Sequence, residues 1–268
     1  MSETRETAEP RRTRPGIYLL PNLFTTGALF AGFYGIVAAM NGRFVAAAVA
    51  ITVAGLLDGL DGRIARLTNT QSDFGVQYDS LSDLVSFGLA PALIVYVWSL
   101  SSLAQYGVAM RKIGWLAAFL FAACAALRLA RFNTQAALTD KRYFQGLASP
   151  AAAGVLVFPI WALEAEGISG HSVSVAALVI TVVTALLMVS NVRYFSFKAW
   201  PDRIPFLWML ALVVLFVLLA IDLPKVLMTI AFVYAASGPV VTILGRRRSQ
   251  RFRLLRKKAR SKSADSPD

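Results

Sequence analysis

Cysteine and histidine are almost absent from this sequence, in which Cys124 and His171 are the sole residues of their types. A single cysteine excludes an internal disulfide and a thiolate metal centre. Cys124 lies in an alanine-rich stretch that we interpret as packed helix, and we predict His171 in a loop far from the acidic residues described below. Nucleophilic catalysis by a Ser-His-Asp or Cys-His arrangement is therefore not expected.

Charged residues and nucleotide-binding loops are also scarce. The chain has neither a GxxxxGK[ST] loop nor a GxGxxG turn, and 16% of its 268 residues are charged whereas 57% are hydrophobic. A helix needs about 20 apolar residues to cross a bilayer. Eight segments approach that length, at roughly 17–40, 44–67, 80–100, 113–133, 147–165, 172–191, 205–221 and 226–244. The sequence predicts an all-α, polytopic membrane bundle of about eight transmembrane helices, forming one domain over residues 17–244.

The basic residues are concentrated near the two ends of the chain. Ten of the 27 Lys and Arg lie between Arg246 and Lys262, and four precede Ile17. An even number of spans places both ends on one side, and the positive-inside rule makes that side the cytoplasm. We predict a disordered tail at 1–16 and a tail at 245–268 that contacts anionic lipid headgroups, not nucleic acid. The expected location is the inner (cytoplasmic) membrane.

Four aspartates interrupt the apolar pattern in the second and third predicted helices. Asp58 and Asp61 are three residues apart and Asp79 and Asp83 are four apart, so each pair shares a helix face. Carboxylates at membrane depth are unfavourable and repel one another. A bound divalent cation removes both problems, and oxygen ligands suit Mg²⁺ or Mn²⁺. We interpret this region as a metal-dependent active site.

The aspartates belong to a longer pattern, D-x-x-D-G-x-x-A-R-x(8)-G-x(3)-D-x(3)-D, which runs without departure from Asp58 to Asp83. It resembles the defining motif of the CDP-alcohol phosphatidyltransferase family of membrane enzymes. The resemblance implies transfer of a phosphatidyl group from CDP-diacylglycerol, or of a similar group from a CDP-alcohol, to an alcohol with release of CMP. It also implies two metal ions held by Asp58, Asp61 and Asp79, with Asp83 as the general base and a further metal ligand.

Other positions of the motif suit a phosphorylated nucleotide. Gly62 and Gly75 lack side chains and allow close approach, Ala65 is small for the same reason or for helix packing, and the Arg66 guanidinium is a planar fork for phosphate oxygens. The resemblance implies contacts with the CDP moiety around Gly62, Arg66, Ser72 and, from the first helix, Asn22. The predicted CDP-diacylglycerol site thus comprises Asn22, Gly62, Ala65, Arg66, Ser72 and Gly75.

Stretches 21–36, 127–135 and 144–154 resemble the bacterial members of this family that use L-serine as the acceptor. Two positions depart from that pattern, since Ala28 stands where Asn is expected and Ala148 where Pro is expected. We therefore predict serine as the acceptor and phosphatidylserine as the product. Glycerol 3-phosphate or inositol phosphate is the nearest alternative acceptor, and a cation transporter is an alternative of another class. The resemblance and the small-residue helix faces also imply a homodimer.

Arg128, Arg131 and Asn133 are candidates for binding the acceptor or a phosphate. The two arginines are three residues apart, so they share a face at one end of the fourth predicted helix. A guanidinium there can bind the lipid phosphate or the carboxylate of an amino-acid acceptor. Both arginines can instead extend to the lipid headgroups, and the sequence does not separate their roles.

Overall fold

The computed structural model describes residues 19–68, 72–135, 143–195 and 206–242. Its α-helices are α1 (Leu19–Met40), α2 (Phe44–Thr68), α3 (Asp73–Asp83), α4 (Ala90–Trp98), α5 (Val108–Gln135), α6 (Ser149–Ala165), α7 (Ser174–Val189), α8 (Phe206–Ile221) and α9 (Leu223–Thr242). A π-helical segment, Leu84–Leu89, joins α3 to α4, and 3₁₀ helices occupy Leu100–Tyr106 and Gly170–Val173. Two short strands, β1 (Tyr143–Gln145) and β2 (Arg193–Phe195), pair antiparallel.

The predicted all-α bundle is confirmed, and each of the eight apolar segments overlaps a helix of the described structure. Six helical stretches in the described residues are long and apolar enough to cross a membrane: Asn22–Met40, Phe44–Ile64, Asp73–Tyr106, Val108–Thr134, Gly170–Val189 and Leu223–Thr242. The apolar helices Ser149–Ala165 and Trp208–Ile221 are shorter. The third span begins at Asp73 and not near residue 80, because the Ser72 side chain caps α3 by accepting from the Gly75 N–H. The predicted tails, 1–16 and 245–268, lie outside the described residues.

Helix α1 packs closely against the π-helical segment. A Cβ at Gly32 would lie 2.8 Å from the Ser86 Cα, so only glycine permits this approach. Ser82 donates to the Thr25 carbonyl at 3.1 Å, and Ser86 donates to the carbonyl of buried Ala28 at 3.0 Å. These two bonds set the position of α1 relative to Asp83, which immediately precedes the π-helical segment.

The strand pair connects the ends of α5, α6 and α7 on the side of the aspartates. Gly146, which follows β1, adopts φ +80, and a Cβ there would overlap the Met188 carbonyl. Arg131 on α5 donates to Gln145 Oε1 and, at 2.8 Å, to Asn191 Oδ1. The sequence pattern did not predict the strands. Ala148, where Pro was expected, precedes an α6 that retains Pro150 in its first turn.

The opposite end of the bundle has its own polar contacts. Trp98 donates to Glu164 at 2.6 Å, and Lys225 pairs with Glu166 and, at 3.0 Å, with Asp222. Because α6 begins near the strands and ends beside Lys225, the first turn of α9 lies far from the aspartates. Helix α9 therefore runs back towards the end of the bundle that holds the aspartates.

Candidate active site

Asp58 and Asp61 on α2 meet Asp79 on α3. One carboxylate oxygen from each lies within 4.8 Å of the others, and Asp61 is buried whereas the other two are partly buried. Asp83, one turn beyond Asp79, has its side chain within hydrogen-bonding reach of Asp58. The four aspartates selected from the motif thus form one cluster, in which three share a ligand geometry and the fourth borders it.

The residues of the cluster fit a divalent cation. Asp79 Oδ1 is buried and makes no hydrogen bond within the described structure. A buried carboxylate oxygen without a partner is unfavourable, and three converging carboxylates are the oxygen donors that Mg²⁺ and Mn²⁺ prefer. Metal binding would use the unpaired oxygen and offset the repulsion among the carboxylates.

Thr25 on α1 is a member of the site that sequence reasoning missed. Its Oγ1 donates to Asp61 Oδ2 at 2.8 Å, and both side chains are buried. Hydrogen bonds of this kind fix the orientation of a metal-binding carboxylate. The available signal was the Thr25–Thr26 pair in an otherwise apolar helix, one turn after Asn22, but the sequence does not show which hydroxyl reaches α2.

Replacing Thr25 by Val should weaken metal binding while preserving the shape of the side chain. We expect the apparent affinity for Mn²⁺ or Mg²⁺ to fall by about tenfold, since the Asp61 carboxylate loses the donor that orients it. The measurement is the rise in unfolding temperature during a metal titration. Thr25→Ser, which keeps the hydroxyl, is the matched control and should bind as the wild type does. Equal affinities for all three proteins would contradict this role for Thr25.

Several residues predicted to bind CDP-diacylglycerol gather at the start of α3. A Cβ at Gly75 would lie 3.2 Å from Ser72 Oγ and 3.6 Å from Asn22 Oδ1, so α1 and α3 meet at this point. The Ser72 hydroxyl accepts from the Gly75 N–H at 3.0 Å and caps the helix. Thr26 and Tyr78, whose hydroxyls are 2.9 Å apart, join the same two helices. Ser72 therefore has a structural role in addition to the predicted one.

The remaining predicted contacts with CDP lie on α2. Apart from the backbone of α2 itself, no atom of the described residues lies within 4 Å of the position of a Cβ at Gly62, so this part of the helix borders open space. That space is compatible with close approach of a nucleotide. Ala65 and Arg66 are also predicted to contact CDP; the structure describes their backbone in α2 but not their side chains.

The structure gives Arg128 and Arg131 different surroundings. Arg128 Nη1 donates to Ser149 Oγ at 2.8 Å, while its Nε is buried without a hydrogen-bond partner in the described structure. The Arg128 guanidinium also interacts electrostatically with Asp83. Arg131, by contrast, donates to the neutral side chains of Gln145 and Asn191.

The third candidate, Asn133, also contacts a neighbouring helix. Its Nδ2 donates to Ser80 Oγ at 2.9 Å and thereby links α5 to α3. Ser80 follows Asp79 directly, so this bond steadies the helix that carries two of the aspartates. Arg128 thus combines an electrostatic interaction with Asp83 and a buried Nε that has no hydrogen-bond partner in the described structure.

Comparison with known proteins agrees with the motif and the geometry. Residues 18–190 match the model of the CDP-alcohol phosphatidyltransferase family. Three relatives are named CDP-diacylglycerol–serine O-phosphatidyltransferase. The protein from Helicobacter pylori is 40% identical over 182 residues, covering 68% of this chain and 74% of the relative. Those from Mycobacterium leprae and Methanocaldococcus jannaschii are 37% and 33% identical, covering 69% and 71% of this chain and 61% and 81% of the relatives. The chain belongs to the CDP-alcohol phosphatidyltransferase family.

Proposed function

We propose that the protein transfers the phosphatidyl group of CDP-diacylglycerol to the hydroxyl of L-serine, giving phosphatidylserine and CMP. One observation carries the proposal. In the described structure, the buried side-chain polar atoms without hydrogen-bond partners are Asp79 Oδ1 and Arg128 Nε, and both residues interact electrostatically with Asp83. An unpaired acceptor suits a cation and an unpaired donor suits an anion. The names of the relatives identify serine as the acceptor in those proteins.

In the proposed site, Asp58, Asp61 and Asp79 would hold two Mg²⁺ or Mn²⁺ ions, with Asp83 at the edge of the cluster and available as a further ligand. Bound cations would neutralise the charge of the pyrophosphate during transfer. Thr25 orients Asp61 for this task. Residues that are proposed to hold CDP-diacylglycerol are Asn22, Gly62, Ala65, Arg66, Ser72 and Gly75.

In the proposed reaction, Asp83 accepts the proton of the serine hydroxyl. The serine oxygen then forms a bond to the phosphatidyl phosphorus, while the bond from that phosphorus to the bridging oxygen breaks and CMP leaves with the electron pair. Arg128 binds the serine carboxylate through the guanidinium atoms that Ser149 leaves unused. Arg131 and Asn133 support the site through their bonds to Gln145, Asn191 and Ser80.

The direct test is incorporation of labelled serine into lipid by purified protein supplied with CDP-diacylglycerol and Mn²⁺ or Mg²⁺. We expect labelled phosphatidylserine, and no exchange of labelled CMP into CDP-diacylglycerol when serine is absent. Incorporation of glycerol 3-phosphate or inositol phosphate instead would keep the reaction and replace the acceptor. A phosphorylated acceptor calls for a denser set of cations than Arg128 and Arg131 provide, and this favours serine.

Replacing Arg128 by Lys should raise the KM for serine by about tenfold and leave the KM for CDP-diacylglycerol within about twofold, because lysine cannot reproduce the planar contact with a carboxylate. Arg131→Lys is the matched comparison. Because Arg131 donates to Gln145 and Asn191, its replacement should lower the unfolding temperature and leave both KM values nearly unchanged. Steady-state kinetics and thermal unfolding separate the two variants. A larger change in serine KM for Arg131→Lys would contradict the assignment.

We also propose that the site lies at the cytoplasmic face of the inner membrane, with both termini in the cytosol. Helix α9 starts beside Glu166 at the opposite end of the bundle and runs towards the aspartates. Ten basic residues lie between Arg246 and Lys262, after α9 in the sequence, and the positive-inside rule favours the cytoplasm and its anionic headgroups for them. This orientation is tested by introducing a cysteine near the C-terminus of the protein. Its labelling by a membrane-impermeant thiol reagent is then compared between right-side-out and inverted membrane vesicles.

We also propose that the protein is a homodimer, which light scattering tests.

A further inference from the structure

The aspartates of the proposed metal site are divided between two helices that have few close backbone contacts with each other. Asp58 and Asp61 lie on α2, whereas Asp79 and Asp83 lie on α3. Helix α1, in contrast, packs against both α2 and α3. The width of the gap between the two pairs of carboxylates therefore depends on how α1 holds each helix.

Thr25 of α1 is hydrogen-bonded to both of these helices. Its hydroxyl donates to Asp61 Oδ2 at 2.8 Å, and its backbone carbonyl accepts from the Ser82 hydroxyl at 3.1 Å. All three residues are buried. Ser82 lies between Asp79 and Asp83 in the sequence, so the second bond reaches α3 between its two acidic residues. We call this connection from Asp61 through Thr25 to Ser82 the Thr25 bridge.

A second contact joins α1 to α3 near the Thr25 bridge. The Thr26 hydroxyl donates to the Asn22 carbonyl at 2.7 Å, which uses its single proton, so the Tyr78 hydroxyl, 2.9 Å away, donates to the Thr26 oxygen. Thr26 is exposed, and water can replace Tyr78 as its partner. The buried bond from Ser82 has no such replacement and is therefore the one expected to fix the distance between the helices.

The distance between the two pairs of carboxylates bears on which cation fits. Mg²⁺ requires near-octahedral oxygen ligands at about 2.0–2.1 Å, whereas Ca²⁺ accepts about six to eight ligands at 2.3–2.6 Å in a more flexible arrangement. Discrimination between the two ions therefore depends on the size and rigidity of the site. A site whose ligands come from two helices with little direct packing is rigid only if a third element fixes their separation.

We propose that Ser82 is a positioning residue that, through the Thr25 bridge, keeps the two pairs of aspartates at the spacing that suits Mg²⁺ and disfavours Ca²⁺. The inference rests on the metal site of the proposed function. It assigns cation selectivity to a hydroxyl that is not itself a metal ligand, because Ser82 is bonded to the Thr25 carbonyl.

Ser82→Ala tests the inference, since it removes the hydroxyl and leaves Thr25 and every aspartate in place. We expect the preference for Mg²⁺ over Ca²⁺, measured as the ratio of their dissociation constants, to fall by about tenfold, the effect of losing a hydrogen bond behind a metal ligand. The EPR signal of free Mn²⁺ measures Mn²⁺ binding to the purified full chain, and Mg²⁺ and Ca²⁺ are added as competitors. Ser82→Cys, a weaker donor of similar size, should give an intermediate ratio.

Ser86→Ala is the matched control. Ser86 is also buried and donates to an α1 carbonyl, that of Ala28, at 3.0 Å. Ala28 has no polar side chain, so this bond joins α1 to the π-helical segment without reaching a carboxylate of α2. Ser86→Ala should therefore lower the unfolding temperature as Ser82→Ala does, but it should retain the wild-type ratio of the two dissociation constants.

A double variant adds a further check. Thr25→Val already breaks the Thr25 bridge on the side of α2, so adding Ser82→Ala to it should cause no further fall in the ratio.

An unchanged ratio in Ser82→Ala, an equal fall in Ser86→Ala, or a wild type without preference for Mg²⁺ would overturn the inference. Should Ser82→Ala fail to fold, a wild-type ratio in Ser82→Cys would overturn it equally. A wild-type protein that binds no Mn²⁺ would instead overturn the metal site of the proposed function.

Discussion

Asp83→Asn should lower kcat for CMP release with serine by about 10²- to 10⁴-fold, the range expected for loss of a general base. An amide has nearly the shape of a carboxyl group but cannot accept the proton of the serine hydroxyl. Asp83 borders the cluster of Asp58, Asp61 and Asp79 without belonging to the three that share the ligand geometry. Its loss should therefore affect the chemical step more than metal binding.

The control for this experiment is a metal titration of the same variant. Mn²⁺ should still raise the unfolding temperature of Asp83→Asn, because Asp58, Asp61 and Asp79 remain. Asp222→Asn, a matched substitution at the opposite end of the bundle, should retain the wild-type kcat. Turnover of Asp83→Asn within about fivefold of the wild type would contradict the general-base role.

Asp79→Asn should abolish the response of the protein to metal. Its Oδ1 is the buried oxygen without a hydrogen-bond partner, and the amide replaces a charged ligand of the three-carboxylate group. We expect loss of the metal-induced rise in unfolding temperature, because a ligand stabilises a fold only through binding to it. CMP release should fall by at least about 10³-fold and should not recover when the metal concentration is raised.

In the absence of metal, we expect the same substitution to have the opposite effect, on the stability of the protein itself. Without metal, Asp79→Asn should unfold at a higher temperature than the wild type, because one of four clustered acidic groups has become neutral. Thermal unfolding in EDTA and in Mn²⁺ measures both effects. An Asp79→Asn protein that retains the wild-type response to metal would show that the cluster is not the metal site.

Much of the fold and of the aspartate cluster was predictable because both depend on patterns that are local in sequence. Long apolar runs identify membrane helices wherever they pack, and Asp58 and Asp61 share a helix face at their spacing in any fold. The start of the third span was less predictable. Residues 73–83 of α3 contain polar side chains at intervals, so hydropathy underestimates a helix that the Ser72 cap begins.

Contacts between distant parts of the chain could not be predicted in this way. Thr25 and Asp61 are 36 residues apart, and Arg131 meets Asn191 across 60. A neutral residue such as Thr25 has no distinguishing charge, and the apolar pattern of α9 does not indicate that its Ala235 carbonyl accepts from Tyr194. The π-helical segment after Asp83 is likewise a product of packing, since it forms where α1 approaches Ser86 most closely.

The central claim is that this chain is a metal-dependent phosphatidyltransferase with serine as its acceptor. The most direct measurement is CMP release from CDP-diacylglycerol by the purified full chain, with serine, glycerol 3-phosphate and inositol phosphate supplied separately, in Mn²⁺ or Mg²⁺ and in EDTA. We predict release with serine alone, in either metal or both, and none in EDTA. Release that persists in EDTA, or that requires one of the phosphorylated acceptors, would contradict the claim.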